Sequence, residues 1–287
     1  MKIAIVGLGL IGGSVCKALK KSTFHHIMGL DADGEVCKKA LDSGAIDEII
    51  TADGLNEADM TMLCLYPETI VDFVKQHKDR FKPGSIVTDS CGVKEYVVTR
   101  CTEVLEPLGV IFVGSHPMAG REFSGFDYST DDLFKGASYI ITPSENTPKM
   151  AIDLLSTLAC CMGFGKVVTA TPKQHDINIA FTSQLAHVVS NAYVKSPSLF
   201  NADGFSAGSF MDLTRVAKLN EYMWSSLFLC NKEALLLELN TIIDNLCEYR
   251  DAIGNDDVAK LRDILRDGRE RKEKSNELYA EHARRKV

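Results

Sequence analysis

The stretch Met1-Lys-Ile-Ala-Ile-Val-Gly-Leu-Gly-Leu-Ile-Gly-Gly13 decides the fold, because an apolar run passes directly into Gly7-x-Gly9-x-x-Gly12. Ile3 to Val6 predicts a buried parallel strand. Gly7 permits a tight turn, Gly9 lets backbone approach a pyrophosphate, and Gly12 lets the following helix pack on the strand. Gly7, Gly9, Leu10, Ile11 and Gly12 are therefore the expected dinucleotide-contacting positions, with the diphosphate at a helix N-terminus. An ordinary strand–turn–helix also uses glycine, so the context has to agree. Ser14 to Lys21 reads as the helix and His26 to Leu30 as a second strand. It ends in Asp31, near the ~20-residue offset of a ribose-binding carboxylate.

Asp31 also chooses the cofactor. A carboxylate accepts hydrogen bonds from a free 2′-hydroxyl and repels a 2′-phosphate, and Ala32-Asp33-Gly34-Glu35 offers no cation for that phosphate. NAD is expected rather than NADP. Capping of a helix that begins near Glu35 is a second role open to Asp31.

Working outward, 287 residues suit two domains better than one core. A net charge of −7 without a basic block argues against nucleic acid and leaves room for a small anionic substrate held by local arginines. Nine cysteines are scattered without Cys-x-x-Cys, so neither a disulfide framework nor a metal site is expected; reduced thiols in a cytoplasmic protein are. The apolar N-terminus belongs to the first strand rather than to a signal sequence. No apolar run reaches the ~18 residues a membrane span needs.

Met60 to Leu65, Ser85 to Thr88, Val110 to Val113, Tyr139 to Thr142 and Lys166 to Thr169 read as further strands. Helices such as Thr69 to His77 and Pro148 to Met162 lie between them. The expected architecture is α/β: a doubly wound sheet over residues 1–170, followed by an all-helical domain over 171–287. In the second part Asp176 to Val194 and Trp224 to Ile253 read as long helices, and the charged run Arg262 to Lys274 as a solvated helix face. Ala234-Leu-Leu-Leu-Glu-Leu239 is apolar around most of its helix, which predicts burial against a second subunit and hence a homodimer.

Ligands bind outside the carboxyl ends of such strands, so the residues after them come first. Val110 to Val113 runs into Gly114-Ser-His-Pro-Met-Ala-Gly-Arg-Glu122, which reads as a rigid irregular loop carrying His116 to the cofactor edge. A general base or acid is the functional reading; a capping or solvent-exposed loop histidine is the plain one. Thr88-Asp-Ser-Cys-Gly-Val-Lys94 also follows a strand, and there Asp89 and Lys94 more commonly make a structural turn and ion pair. Asp176, Ala180, Ser183 and His187 share one helical stripe without Lys, Glu or Arg, which points to a pocket for hydroxyl and carboxylate groups. Arg215, among Phe210, Leu213 and Val216, needs an anion from protein or ligand.

Taken with Gly7-Leu-Gly-Leu-Ile-Gly-Gly-Ser14, four further motifs make the chain similar to the prephenate dehydrogenase family. They are Ser115-His-Pro-Met-Ala-Gly120, His175-Asp176, Thr182-Ser-Gln-Leu-Ala-His187, and Asp212-Leu-Thr-Arg215 with Met223-Trp224. The resemblance implies a Rossmann domain and a helical dimerisation domain with the active site between them. It implies NAD-dependent oxidative decarboxylation of prephenate to 4-hydroxyphenylpyruvate in tyrosine biosynthesis. His116 matches the catalytic histidine that engages the ring hydroxyl and Arg215 the arginine that grips a substrate carboxylate. His187 matches a substrate-pocket histidine, beside Ser183, Glu122 an acid at the pocket entrance, and His175 with Asp176 a supporting pair. Gly92 departs from the resemblance, since many relatives carry serine there; Ser90 or a water is the expected substitute. Neither an appended regulatory domain nor a fused chorismate mutase is expected. Arogenate dehydrogenase is the nearest alternative. A 3-hydroxyacid dehydrogenase or imine reductase would place a lysine on the Asp176 stripe, and an NAD-sensing interaction protein would lack intact His116, His187 and Arg215.

Overall fold

The computed structural model describes residues 1–121, 123–201 and 203–284. The chain forms two compact units, Met1–Leu235 and one starting at Leu236. In chain order the first contains β1 (Lys2–Val6), α1 (Leu10–Ser22), β2 (His26–Leu30), α2 (Gly34–Asp42), the short β3 (Glu48–Ile49), β4 (Met60–Leu63) and α3 (Pro67–His77). It continues with β5 (Ile86–Asp89), α4 (Glu95–Leu105), β6 (Ile111–Pro117), β7 (Ser138–Thr142), α5 (Lys149–Cys161) and β8 (Lys166–Thr169). Helices follow: α6 (Pro172–Ile179), a π-helical turn (Ala180–Leu185), α7 (Ala186–Tyr193), α8 (Gly208–Thr214), α9 (Glu221–Cys230) and α10 (Lys232–Gly254). The second unit holds most of α10 and then α11 (Val258–Arg284).

Among the described residues the sheet has the order β3-β2-β1-β4-β5-β6-β7-β8, parallel except for β6 against β7. The continuous apolar run of β1 is what a strand covered on both faces requires. On one face Ile3 and Ile5 meet Val15 and Leu19 of α1 and Leu155 and Leu158 of α5. On the other, Ala4 and Val6 share a core with Ile70 and Val74 of α3 and Val97 and Cys101 of α4. Strand order reverses between β1 and β4, so the crevice at their carboxyl ends is the binding position of this architecture.

Three expectations about local structure need correction. His116 lies in a strand rather than in an irregular loop. Ile111–Val113 pair parallel with Ile86–Thr88, and the strand then continues as Gly114–Pro117, antiparallel to Tyr139–Thr142. The sequence shows the first half as an apolar run, but the change of partner comes from the distant β7. Asp176 to Val194 is not one α-helix either, since the π turn inserts between α6 and α7. Finally, Trp224 to Ile253 breaks at Asn231, whose side-chain amide donates to the Asp176 carbonyl at 2.9 Å and to Gln184 Oε1 at 2.8 Å.

The charged run Arg262 to Lys274 lies within α11, largely exposed, with pairs such as Arg271–Asp267 at 2.8 Å. No helix among the described residues is long and apolar enough to cross a membrane.

Candidate active site

The glycine turn begins where β1 ends. Gly7 adopts φ 87°, a conformation that side chains with a Cβ rarely reach, and its N–H donates to the Leu30 carbonyl at 2.8 Å. A Cβ built on Gly9 meets nothing within 4 Å, so the backbone there borders open space. Helix α1 has Gly9 as its N-cap, no side-chain cap and no acidic residue in its first turn. Its first N–H groups and the positive end of its dipole are therefore free to receive an anion. Asp31 stands beside the turn, accepting from the Leu8 N–H at 2.6 Å and the Asp33 N–H at 3.0 Å. The α2 cap is Asp33, which accepts from the Glu35 N–H at 2.9 Å, so the capping role weighed for Asp31 falls to its neighbour. Bare helix end, open glycine edge and carboxylate fit a dinucleotide with a free ribose.

A chain of hydrogen bonds ends at His116. Asp176 accepts from the backbone N–H groups of Lys94 and Glu95, both at 2.8 Å, and so caps α4 from across the fold. Its Oδ1 lies 2.7 Å from His175 Nδ1, and His175 Nε2 lies 2.8 Å from His116 Nδ1. A carboxylate accepts, so His175 Nδ1 carries the proton. Burial lowers the His175 pKa, against the raising effect of its Asp176 bond, and keeps that ring neutral with a lone pair on Nε2. That lone pair takes the proton of His116 Nδ1. His116 is itself pushed well below the ordinary histidine range by burial, then by His175 and Lys94. The free lone pair of His116 is thereby placed on Nε2, the arrangement of a general base.

Nε2 faces Gly92. A Cβ built there would sit 3.9 Å from Nε2 and 3.4 Å from Leu227 Cδ2, so the missing side chain leaves room for a small polar group beside the imidazole.

Behind His116 the strand is gripped by a buried polar knot. The Ser115 N–H donates to Asp89 Oδ1 at 3.2 Å and its hydroxyl donates to the Asp89 carbonyl at 2.5 Å, while Thr88 and Tyr139 hydroxyls donate to Ser115 Oγ at 3.0 and 2.6 Å. Lys94 Nζ pairs with Asp89, both side chains 0% exposed, as the ion-pair reading of that segment expected. Removing one partner of a pair buried this way costs about 3–5 kcal/mol.

The helical part supplies the rest. The Asp176–Ala180–Ser183–His187 stripe does not run along one regular helix: Asp176 is consumed in capping, Ala180 is fully buried, and Ala180 and Ser183 both lie inside the π turn. A π turn widens a helix by one residue, and such turns concentrate at functional sites. Gln184 Nε2 braces it by donating to the Leu227 carbonyl at 3.1 Å. His187 Nδ1 donates to the Ser183 carbonyl at 2.8 Å, and its ring lies against Trp224 with centroids 4.0 Å apart. Trp224 and Leu227 are three residues apart on α9 and share a face. That face leads from His116 and Gly92 to His187. Arg215 is near enough to His187 to help lower its pKa, after burial. It is exposed rather than enclosed by Phe210, Leu213 and Val216, because it sits at the end of the short α8, and it makes no ion pair among the described residues. Glu122 lies outside the described residues. Sequence reasoning missed Gln184, Asn231 and the Ser115–Tyr139 knot, which only the tertiary contacts of β7 and α9 reveal.

A glycine cradle at the switch point of a doubly wound sheet, with a buried histidine pair on a neighbouring strand, has the layout of a nucleotide-dependent oxidoreductase. The family model for the prephenate dehydrogenase nucleotide-binding domain matches residues 15–168, and that for the prephenate dehydrogenase dimerization domain matches residues 171–267. The chain belongs to the prephenate dehydrogenase family. It is 32% identical to the prephenate dehydrogenase of Bacillus subtilis over 90% of this chain and 72% of that one. The structure of the A. aeolicus prephenate dehydrogenase in complex with hydroxyphenyl propionate and NAD+ is 31% identical, with a TM-score of 0.84 over 96% of this chain and 98% of that one. The Synechocystis arogenate dehydrogenase structure is 28% identical, with a TM-score of 0.82 over 96% of this chain and all of that one.

Proposed function

We propose that the protein is an NAD-dependent prephenate dehydrogenase in which His116 is the general base and Arg215 binds a substrate carboxylate, with His187 and Ser183 completing the pocket. The observation that carries this reading is the Asp176–His175–His116 chain, which delivers a lone pair to the gap beside Gly92. Gly7, Gly9, Leu10, Ile11, Gly12 and Asp31 would hold NAD, which when bound accepts a hydride from the substrate. His116 Nε2 takes the proton of the ring hydroxyl. The resulting imidazolium hands its positive charge toward Asp176 through His175, whose supporting role is to keep that proton path oriented. Loss of the ring carboxylate as carbon dioxide then aromatises the ring to a phenolate, which recovers the proton from His116 Nε2 to give the product, 4-hydroxyphenylpyruvate. Arg215, without a protein carboxylate among the described residues, supplies a planar fork for the substrate's carboxylate. NAD reduction on adding prephenate to the pure protein tests the proposal, and its absence overturns it. Prephenate is expected to be preferred over arogenate, since the matched pocket positions offer His187 and Arg215 rather than an acceptor for an ammonium. A tenfold advantage for arogenate in kcat/KM, about 1.4 kcal/mol, would instead assign arogenate as substrate.

Cofactor choice is tested at Asp31. Asp31→Ser with Ala32→Arg should move preference toward NADP by removing repulsion and adding a phosphate partner. Because Asp31 also holds the Leu8 N–H, activity with NAD should fall at the same time, roughly tenfold. Equal wild-type activity with both cofactors would exclude this role.

The functional division falls near residue 170, with cofactor residues before it and substrate residues mostly after it. A homodimer built on the helical part is supported by Leu229, Leu236, Ile243, Leu246 and Ile253, all exposed along α9 and α10. Sedimentation should give about twice the 31.5 kDa chain mass, and a stable monomer at micromolar concentration contradicts the dimer. Nine free cysteines fit a reducing, cytoplasmic setting.

A further inference from the structure

We infer that Lys94 is a positioning residue for this reaction, holding both ends of the histidine chain at fixed separation. The inference rests on reading His116 as the base. The Lys94 ammonium donates to the Ser115 carbonyl at 2.6 Å, the carbonyl of the peptide that joins Ser115 to His116. The Lys94 backbone N–H donates to Asp176 Oδ1 at 2.8 Å, the same oxygen that His175 faces. One residue thus fastens β6 and α6 on either side of the 2.8 Å bond between His116 and His175.

Fold stability alone does not ask for this arrangement. A lysine at the head of α4 lies at the wrong end of the helix dipole, and it is 0% exposed. Burial works against its charge, but Asp89, together with Cys91 and Asp176, outweighs it and raises the Lys94 pKa. A well-packed apolar pair in such a place is often as stable as the ion pair or more so. What an apolar pair lacks is a directed donor for the Ser115 carbonyl and a fixed cation behind the imidazoles.

The charge matters because of its surroundings. Around His116 stand Lys94 from the α4 terminus, Asp89 from β5, the Cys91 thiol from the following turn, Tyr139 from β7, and His175 with Asp176 from α6. Lys94 is the cation of this group and disfavours protonation of both histidines, which keeps the Nε2 lone pair available.

The test compares Lys94→Met with Lys94→Met/Asp89→Asn. In the double variant the introduced amide oxygen still accepts from the Ser115 N–H, and no buried charge is left alone. The single variant should lose at least about tenfold in kcat, with KM for prephenate and NAD within about twofold, because misplacing the base affects turnover rather than binding. The acid limb of its kcat/KM profile should move to higher pH, since a cation is gone and Asp89 is uncompensated. The double variant should remain slow, with a smaller move of the limb. Histidine NMR titration without substrate should show His116 and His175 protonating at higher pH in the single variant. A folded double variant with wild-type kcat overturns the inference, as does an unchanged histidine titration; if the single variant does not fold, the double variant decides. A wild type that does not reduce NAD with prephenate defeats the proposed function, while the titration still decides the role of Lys94.

Discussion

Replacement of His116 by asparagine is expected to lower kcat about a hundredfold or more, with NAD affinity little changed. Asparagine keeps a donor for His175 Nε2 and roughly the volume of the ring, so the loss isolates the base. The wild-type pH profile should carry the matching signature. Burial first, then His175 and Lys94, push the His116 pKa below its ordinary value, so the free enzyme holds the neutral, active imidazole throughout neutral pH. As pH falls the ring is protonated and kcat/KM declines, with the midpoint below the usual histidine value of about 6.5. Prephenate brings two carboxylates, which favour the imidazolium, so the limb in kcat should lie at higher pH than the limb in kcat/KM. His116→Asn should lack both limbs. Near-normal turnover in the variant, or a wild-type kcat/KM limb well above pH 7, would remove His116 as the base.

The strand–turn–strand frame of the proposed cofactor site was legible because it is local. Gly7 to Gly12 and Asp31 are read from one strand, one turn and the next strand, and their spacing survives folding intact. His116 was legible as a residue but not in its setting, since the antiparallel half of β6 depends on β7, more than twenty residues later. The stripe through Asp176, Ala180, Ser183 and His187 failed for a different reason. Helical spacing assumes 3.6 residues per turn throughout, and the π turn breaks that assumption where Gln184 and Asn231 tie it to α9. Asp176 looked like a pocket residue in one helix and is a cap for another, a role that no local pattern encodes. Asp89 and Lys94 were correctly expected to pair. Their total burial, which gives the pair its leverage on His116, came only with the fold.

Arg215→Ala should act on substrate and leave NAD alone. The guanidinium is exposed and makes no ion pair among the described residues, so removing it leaves no buried charge stranded and the protein should fold with wild-type stability. In the proposed complex the same group would meet a substrate carboxylate, and truncating one partner of such a hydrogen-bonded charge pair costs about 2 to 5 kcal/mol. The expected fall in kcat/KM for prephenate is therefore about a hundredfold, carried mainly by KM. Lysine should rescue it only in part: it restores the charge without the fork that bonds both carboxylate oxygens. Alanine also removes the nearby cation that helps hold the His187 pKa down, so His187 should protonate at slightly higher pH in the variant. Unchanged saturation by prephenate in Arg215→Ala would mean that the carboxylate is held elsewhere. A fall in kcat with KM intact would place Arg215 at the reacting ring rather than at the binding of the substrate's carboxylate.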